Sequence, residues 1–302
     1  MKTEIRVHGP LDVPRTLERY TVWGEDPVNR LVDGAFLRAV RAAGRWRGYE
    51  LRWAGSVDAA RLLVSTPGDR SPHALEAAVG EVERICGLGL DVAGFYEAAK
   101  ADPVLGPLVP KLWGFRPTLS PLPFEMLVGS VCAQQINLAF AFTLKARLAR
   151  RFGVPVDVAG RTVYGFPDAE RLARVGVRAL RRLQLTTRKS EYVVGLARVV
   201  ASGALDLTAL GGRSNDEVIG AITGVRGFGR WSADWFLARH LGRGDVCAAG
   251  DLAVRRAFER FCNQGRPLDE PAVRRRAAAW GRHQNMAVHY LMAGQRLSAA
   301  AA

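Results

Sequence analysis

Residues 221–233 read Ala221-Ile222-Thr223-Gly224-Val225-Arg226-Gly227-Phe228-Gly229-Arg230-Trp231-Ser232-Ala233. A glycine-rich turn stands between two amphipathic stretches, Ser214 to Thr223 before it and Arg230 to Leu241 after it, whose spacing predicts helices. Gly227 and Gly229 let the backbone come close to an anion, and the opening turn of the second helix offers free N–H groups. Such a turn can grip a phosphate without a long side chain. The same composition also suits a plain tight helix–helix turn. It is not the Walker arrangement, which ends in Gly-Lys-Ser/Thr and follows a strand.

Downstream, Val246-Cys247-Ala248-Ala249-Gly250-Asp251-Leu252-Ala253-Val254 sets one carboxylate after a small apolar loop and directly before a helical pattern. Asp251 reads as the N-cap of that helix. A single carboxylate beside a basic surface can also stabilise positive charge developing on a sugar as its base departs, or orient the attacking water. The two roles are compatible, since a cap position holds a carboxylate rigidly.

Around these elements the C-terminal region reads as mostly helical. Phe124 to Phe152 carries apolar groups at helical spacing with an interruption near Gln134 to Asn137, and Arg147, Arg150 and Arg151 suit its C-terminal end. A further helix starts at Phe166-Pro167-Asp168. Others run from Glu191 to Ala201, Leu252 to Cys262, Pro271 to Trp280 and Gln284 to Leu297, and the chain ends in a short alanine-rich tail. Many short helices joined by turns indicate a compact bundle rather than parallel αβ units. Before residue 100 the pattern is different. Thr3 to Val7 and Tyr49 to Trp53 alternate as strands, Ala74 to Ile85 is helical, and Val32 to Ala43 shows helical periodicity. Between the two regions, Pro103 to Pro123 is a packed connector, with Trp113 expected as a buried anchor.

Charge follows the same division. The chain of 302 residues carries +14, with 15 basic and 15 acidic residues up to Trp113 against 28 and 14 beyond it. In the second part only Lys145 and Lys189 are lysines. The guanidinium fork suits phosphate, so a polyanionic partner is favoured, although a GC-rich genome also yields arginine. Cys86, Cys132, Cys247 and Cys262 form no CxxC pair or cluster, which argues against a zinc ribbon or an iron–sulfur loop and for reduced core or pocket-wall thiols. No apolar run approaches the ~20 residues of a membrane span, and Met1 to Pro10 lacks a signal-peptide core, so a cytoplasmic, nucleoid-associated location is expected.

Three segments together resemble the helix-hairpin-helix DNA glycosylase superfamily, and within it the bacterial 3-methyladenine DNA glycosylase II branch. They are Cys132-Ala133-Gln134-Gln135-Ile136, the hairpin Gly227-Phe228-Gly229-Arg230-Trp231-Ser232-Ala233, and the downstream Asp251. The resemblance implies an α+β, predominantly α-helical fold: an N-terminal antiparallel-sheet domain (1–100), a discontinuous helical subdomain bearing the aspartate (101–124 and 241–302), and a helical subdomain containing the hairpin (125–240). It implies that Asp251 is catalytic in removing a flipped, damaged base from duplex DNA, without a membrane and as a monomer. Gln135, Trp231, Trp235 and His283 would line the pocket. Ile136, Gly227, Gly229 and Arg230 would contact DNA, with Ile136 filling the gap left by the flipped nucleotide. Trp231 occupies the position of the Schiff-base lysine of bifunctional relatives, which implies hydrolysis without strand cleavage. No cofactor is required, and there is room for a monovalent cation at the hairpin.

The sequence departs from the family's pattern in the segment that closes the pocket. His283 replaces a tryptophan, Met286 a tyrosine and Gln284 a common arginine, while Gly250 replaces a second acidic residue beside Asp251. Two other readings stay open at this point: a non-catalytic binder of damaged DNA, and a bifunctional oxidised-base glycosylase.

Overall fold

A computed structural model describes the backbone of residues 1–300 and the side chains of residues 1–297, so the last alanines of the tail lie outside the described residues. The N-terminal part contains β1 (Lys2–Arg6), α1 (Val13–Leu17), β2 (Arg30–Val32), β3 (Ala35–Ala42), β4 (Arg45–Ala54), β5 (Arg61–Ser65) and α2 (Pro72–Ile85). The strands pair antiparallel in the order β1-β5-β4-β3-β2. Helix α2 packs on the sheet, and its Ala78, Val82 and Ile85 share a core with Phe36, Val40, Tyr49, Leu51, Leu62 and Val64.

The helical periodicity of Val32 to Ala43 is overturned, because Val32 ends β2, Asp33 and Gly34 turn the chain, and Ala35–Ala42 is β3. Its other face is covered as well. Ala35, Leu37 and Ala39 meet Val158 and Val163 of a hairpin that the sequence reading missed, formed by β6 (Val154–Val158) and β7 (Arg161–Gly165). A strand buried on both faces loses the alternation that marks a half-exposed one. The packing is close: a Cβ on Gly48 would lie 2.5 Å from a Val158 methyl carbon.

Helices then follow as α3 (Val92–Ala99), α4 (Pro123–Ala133), α5 (Leu138–Phe152), α6 (Ala169–Arg174), α7 (Val177–Arg181), α8 (Thr187–Ala201), α9 (Asn215–Thr223), α10 (Arg230–Phe236), α11 (Leu252–Cys262), α12 (Glu270–Ala278) and α13 (Gln284–Ala300), with β6 and β7 between α5 and α6. One continuous apolar core runs through them, from Phe95 through Leu127, Leu148, Leu196 and Phe236 to Phe258 and Leu291. The interruption expected near Gln134 separates α4 from α5, and a capping box of Ser214 and Glu217 starts α9. A π turn over Leu237–Leu241 continues α10 and ends at left-handed Gly242. Trp113 is an anchor but not a buried one. It is 41% exposed, stacks on Tyr96 with centroids 4.5 Å apart, and donates its indole N–H to Asp58 at 2.7 Å.

A buried charge cluster ties the sheet to the helices. The guanidinium of Arg38 on β3, fully buried, donates to Glu81 of α2 at 2.9 Å and to Glu125 of α4 at 2.8 Å. Lys145 of α5 pairs with Glu125 at 2.7 Å and with Asp26 at 3.2 Å. Burial alone would raise Glu125, but Arg38 and Lys145 hold it down at about 2. The cluster braces the two helices whose connecting loop carries Gln135 and Ile136. Among the described residues no helix is long and apolar enough to cross a membrane.

Candidate active site

Asp251 is the N-cap of α11. Its Oδ1 accepts the backbone N–H groups of Ala253 at 2.8 Å and Val254 at 3.3 Å, which satisfies two donors that a helix start leaves free. Its Oδ2 accepts two indole N–H groups, from Trp231 at 2.8 Å and Trp235 at 3.1 Å. Those tryptophans are four apart on α10 and so share a face. They do not simply pack on one another but converge on one carboxylate oxygen. With about four lone-pair positions on a carboxylate and four N–H donors aimed at it, Asp251 is held as an acceptor in a fixed orientation.

The loop before Asp251 is fastened through a neighbouring residue of α10. Asp234 of α10, fully buried, receives Arg230 at 2.8 Å and Arg274 of α12 at 2.7 Å. Arg274 also donates to the carbonyl of Cys247 at 3.2 Å and to Glu270 at 2.7 Å. One helix therefore presents tryptophans to Asp251 and an aspartate to the arginine that grips the loop behind it. Arg230, expected at the DNA, is half-exposed but tethered through Nε to Asp234. A surface cavity of about 280 Å3 opens on this side and is lined by Arg230, Asp234, Asp245 and Arg274, not by Asp251.

In the turn, Gly227 has φ +98°, and a Cβ there would lie 2.2 Å from the Tyr192 ring of α8, so no larger residue fits. Gly229 is the N-cap of α10, and a Cβ there would meet open space. The carbonyls of Val225 and Gly227 accept hydrogen bonds from Phe228 N and Gln134 Nε2, at 3.0 and 2.8 Å. The Gln134 bond also fastens the α4–α5 loop to the hairpin. Gln135, next along, is exposed with φ +54°, an uncommon conformation for a side-chain-bearing residue, and Ile136 is half-buried. The loop's other support is buried Lys189 of α8, whose ammonium donates to the Cys132 carbonyl at 2.8 Å.

His283 does not join this group. It lies edge-on to Phe95 of α3, with centroids 6.1 Å apart, and burial lowers its pKa. The histidine that reaches the tryptophans is His289, which the sequence reading missed. Its ring meets Trp235 edge-on at 5.8 Å, Nδ1 lies 2.9 Å from the Asn285 carbonyl, and Nε2 has no protein partner. Burial, reinforced by the charge of Arg239, pushes it down to about 3, so it is neutral. The signal was its place on α13, one turn beyond Met286 and Asn285. All four cysteines are free: Cys86, Cys132 and Cys247 are buried, and Cys262 is half-buried. Among the described residues no group of three or more His, Cys, Asp or Glu side chains could hold a metal ion.

A glycine hairpin whose second helix aims two tryptophans at an N-capping aspartate defines a helix-hairpin-helix protein with an acidic site. The chain belongs to the HhH-GPD superfamily of base excision DNA repair proteins, whose family model matches residues 128–282. It is 33% identical over 201 residues to a DNA-3-methyladenine glycosylase of Bacillus subtilis, covering 67% of this chain and 66% of that protein. It is 28% identical over 158 residues to DNA-3-methyladenine glycosylase 2 of Escherichia coli, covering 52% of each. The chain thus spans about half to two thirds of the curated relatives it matches. Over nearly its full length it superposes on a 3-methyladenine DNA glycosylase from Archaeoglobus fulgidus, with a TM-score of 0.87, 27% identity and 98% coverage of both chains.

Proposed function

We propose that the protein is a monofunctional DNA glycosylase that flips an alkylated purine such as 3-methyladenine out of duplex DNA and hydrolyses its N-glycosidic bond. The observation that carries this reading is the saturation of Asp251 by four N–H groups. A carboxylate so occupied is a negative charge held in a fixed orientation. An alkylated purine already carries positive charge and leaves with little acid assistance, so the remaining need is to stabilise the oxocarbenium-like sugar. Asp251 supplies that charge, and water completes the hydrolysis. The two tethered indoles stand beside it as faces on which an electron-poor base can stack.

The lysines support hydrolysis over lyase chemistry. Trp231 cannot form an imine, Lys145 is consumed in buried ion pairs, and Lys189 is bonded to the Cys132 carbonyl. The duplex would be held through the N–H groups at Gly229, with Ile136 replacing lost stacking and Gln135 meeting exposed base edges. No cofactor enters the reaction; a monovalent cation on the hairpin carbonyls would only stiffen the turn.

The test is base release from duplexes bearing defined lesions, comparing the parent with Asp251→Asn. Release by the parent without strand scission, lost in the variant, is the expected result. A folded parent that binds duplex but releases no base from any alkylated substrate would leave only a damaged-DNA binder. Strand cleavage with borohydride trapping would instead establish the bifunctional reading.

A further inference from the structure

Arg171, Arg174, Arg178, Arg181, Arg182 and Arg188 follow one another along α6, α7 and the first turn of α8, and all six are exposed. From residue 169 to residue 190 the only acidic side chain is Glu170. None of the six guanidiniums has an ion pair or hydrogen bond among the described residues. In the N-terminal part, by contrast, Arg15, Arg41, Arg47, Arg52 and Arg61 each reach a carboxylate. An arginine-rich composition accounts for many arginines but not for six successive unpaired ones.

The helices also order them. Arg171 and Arg174 are three apart on α6, and Arg178 and Arg181 are three apart on α7 with Arg182 as its C-cap, so each helix presents its cations on one face. Both helices pack on α8. Next to Arg188, Lys189 supports the Cys132 carbonyl at the root of the Gln135–Ile136 loop, and Tyr192 backs Gly227 of the hairpin. The strip therefore starts where the two elements read as touching DNA are joined. Like charges crowded in this way repel one another, a cost that a polyanion relieves by taking their place among counterions.

We propose that these arginines form a second phosphate-binding surface, which holds the backbone of the same duplex outside the segment gripped by the hairpin. The proposal rests on the DNA-binding reading above, but it concerns residues that take no part in base removal.

The experiment is equilibrium binding to undamaged duplex across a salt series, comparing the parent with the triple variant Arg174→Gln, Arg178→Gln, Arg182→Gln. Two duplexes are used, one covering only the hairpin footprint and one longer by a helical turn on each side. On the longer duplex the slope of log K against log salt should become shallower by roughly 0.9 for each phosphate that the variant no longer neutralises, about 2 to 3 in all. On the shorter duplex it should change little. The same three positions replaced by lysine should keep the parent slope. Thermal melting checks the fold, and relief of like-charge repulsion should leave the glutamine variant melting no lower than the parent. An unchanged slope on the longer duplex, with the parent binding both, overturns the strip and leaves the DNA reading standing. Absence of salt-sensitive binding by the parent itself overturns both.

Discussion

The indole N–H of Trp231 donates to Oδ2 of Asp251 across 2.8 Å, so the hairpin residue that the family resemblance aligns with a lysine of bifunctional enzymes is a hydrogen-bond donor to the carboxylate. This pair joins the glycine hairpin to the charge that the proposed chemistry needs. A lysine there would be an ion-pair partner and a nucleophile. A tryptophan offers one weakly polar donor and a large flat surface, and it orients the carboxylate without neutralising it.

Asp251→Asn separates the two duties of the residue. Asparagine is as good an N-cap as aspartate, so the fold should survive. The amide carries no charge, however, and its NH2 group must face either the indole donors or the backbone donors of Ala253 and Val254. We expect base release to fall by at least ~100-fold, in line with removal of a transition-state charge partner, and stability to fall by about 1–2 kcal/mol. Single-turnover release and urea denaturation measure the two separately. Loss of stability with release intact would mean that the carboxylate serves the helix alone.

Replacing Trp231 or Trp235 by phenylalanine keeps most of the aromatic area while deleting one donor to Oδ2. If the indoles act by orienting Asp251, each variant should lose roughly tenfold in kcat with KM nearly unchanged, as an interaction worth about 1.4 kcal/mol in the transition state requires. If they act only as stacking faces, which phenylalanine largely keeps, kcat should be unchanged and KM should rise only slightly. Steady-state kinetics on an alkylated duplex distinguishes the cases. Trp235 is the more buried of the two, and its replacement should also lower the melting temperature.

How much of this was legible depended on whether the signal was local. The hairpin glycines, the N-cap at Asp251, and the break between α4 and α5 each follow from a few adjacent residues, and each stands where the pattern put it. Strand β3 was misread because its second face is covered by β6 and β7, more than a hundred residues later in the chain, and nothing near Ala35–Ala42 announces that cover. His283 and His289 differ for a similar reason. His283 lies in the segment expected to close the pocket, Trp280 to Ala287, but it stands just before α13, whereas His289 lies beyond that segment on α13 and meets Trp235 only through the packing of α13 near α10. The tether of Arg230 to Asp234 is a local i,i+4 pair, but the second partner of Asp234, Arg274, lies forty residues on, and spacing cannot reveal it.

Gly227 and Gly229 look equivalent in sequence and should respond differently to alanine. At Gly227 the added Cβ would overlap the Tyr192 ring, in a backbone conformation with φ +98° that disfavours side chains, so about 1–3 kcal/mol of stability should be lost together with DNA affinity. At Gly229 the φ is −115° and a Cβ meets open space, so the fold should be unaffected. A methyl group there would instead hold a phosphate away from the N–H groups of α10 and weaken duplex binding. Melting temperatures and anisotropy titrations of the two variants should rank them in opposite orders of damage to fold and of selective damage to binding. Equal melting temperatures would contradict the packing of Gly227 on Tyr192.

The pH dependence of stability should show two steps. His289 is pushed down to about 3 and His240 to about 4, in both cases by burial first, so below an unfolded value near 6.5 the unfolded chain binds protons that the folded chain does not. Their contribution is complete above pH 6.5 and is lost progressively as pH falls toward 4 and 3. Glu125, ordinarily near 4.5 and held at about 2, adds a second loss with the same sign from about pH 4.5 downward, of the order of 3 kcal/mol. Glu81, which shares Arg38 with it, is raised by burial, so its folded form takes up a proton above pH 4.5 and opposes the lower end of the histidine step rather than the Glu125 step. Urea midpoints measured from pH 8 to pH 4 should therefore begin to fall near pH 6.5. His289→Phe fills the same space without titrating and should make the fall between pH 6.5 and 4.5 shallower, leaving the share of His240 and the lower step in place. A parent whose midpoint is constant from pH 8 to 5, or a variant with the parent's slope, would show that His289 is not buried in its neutral form against Trp235.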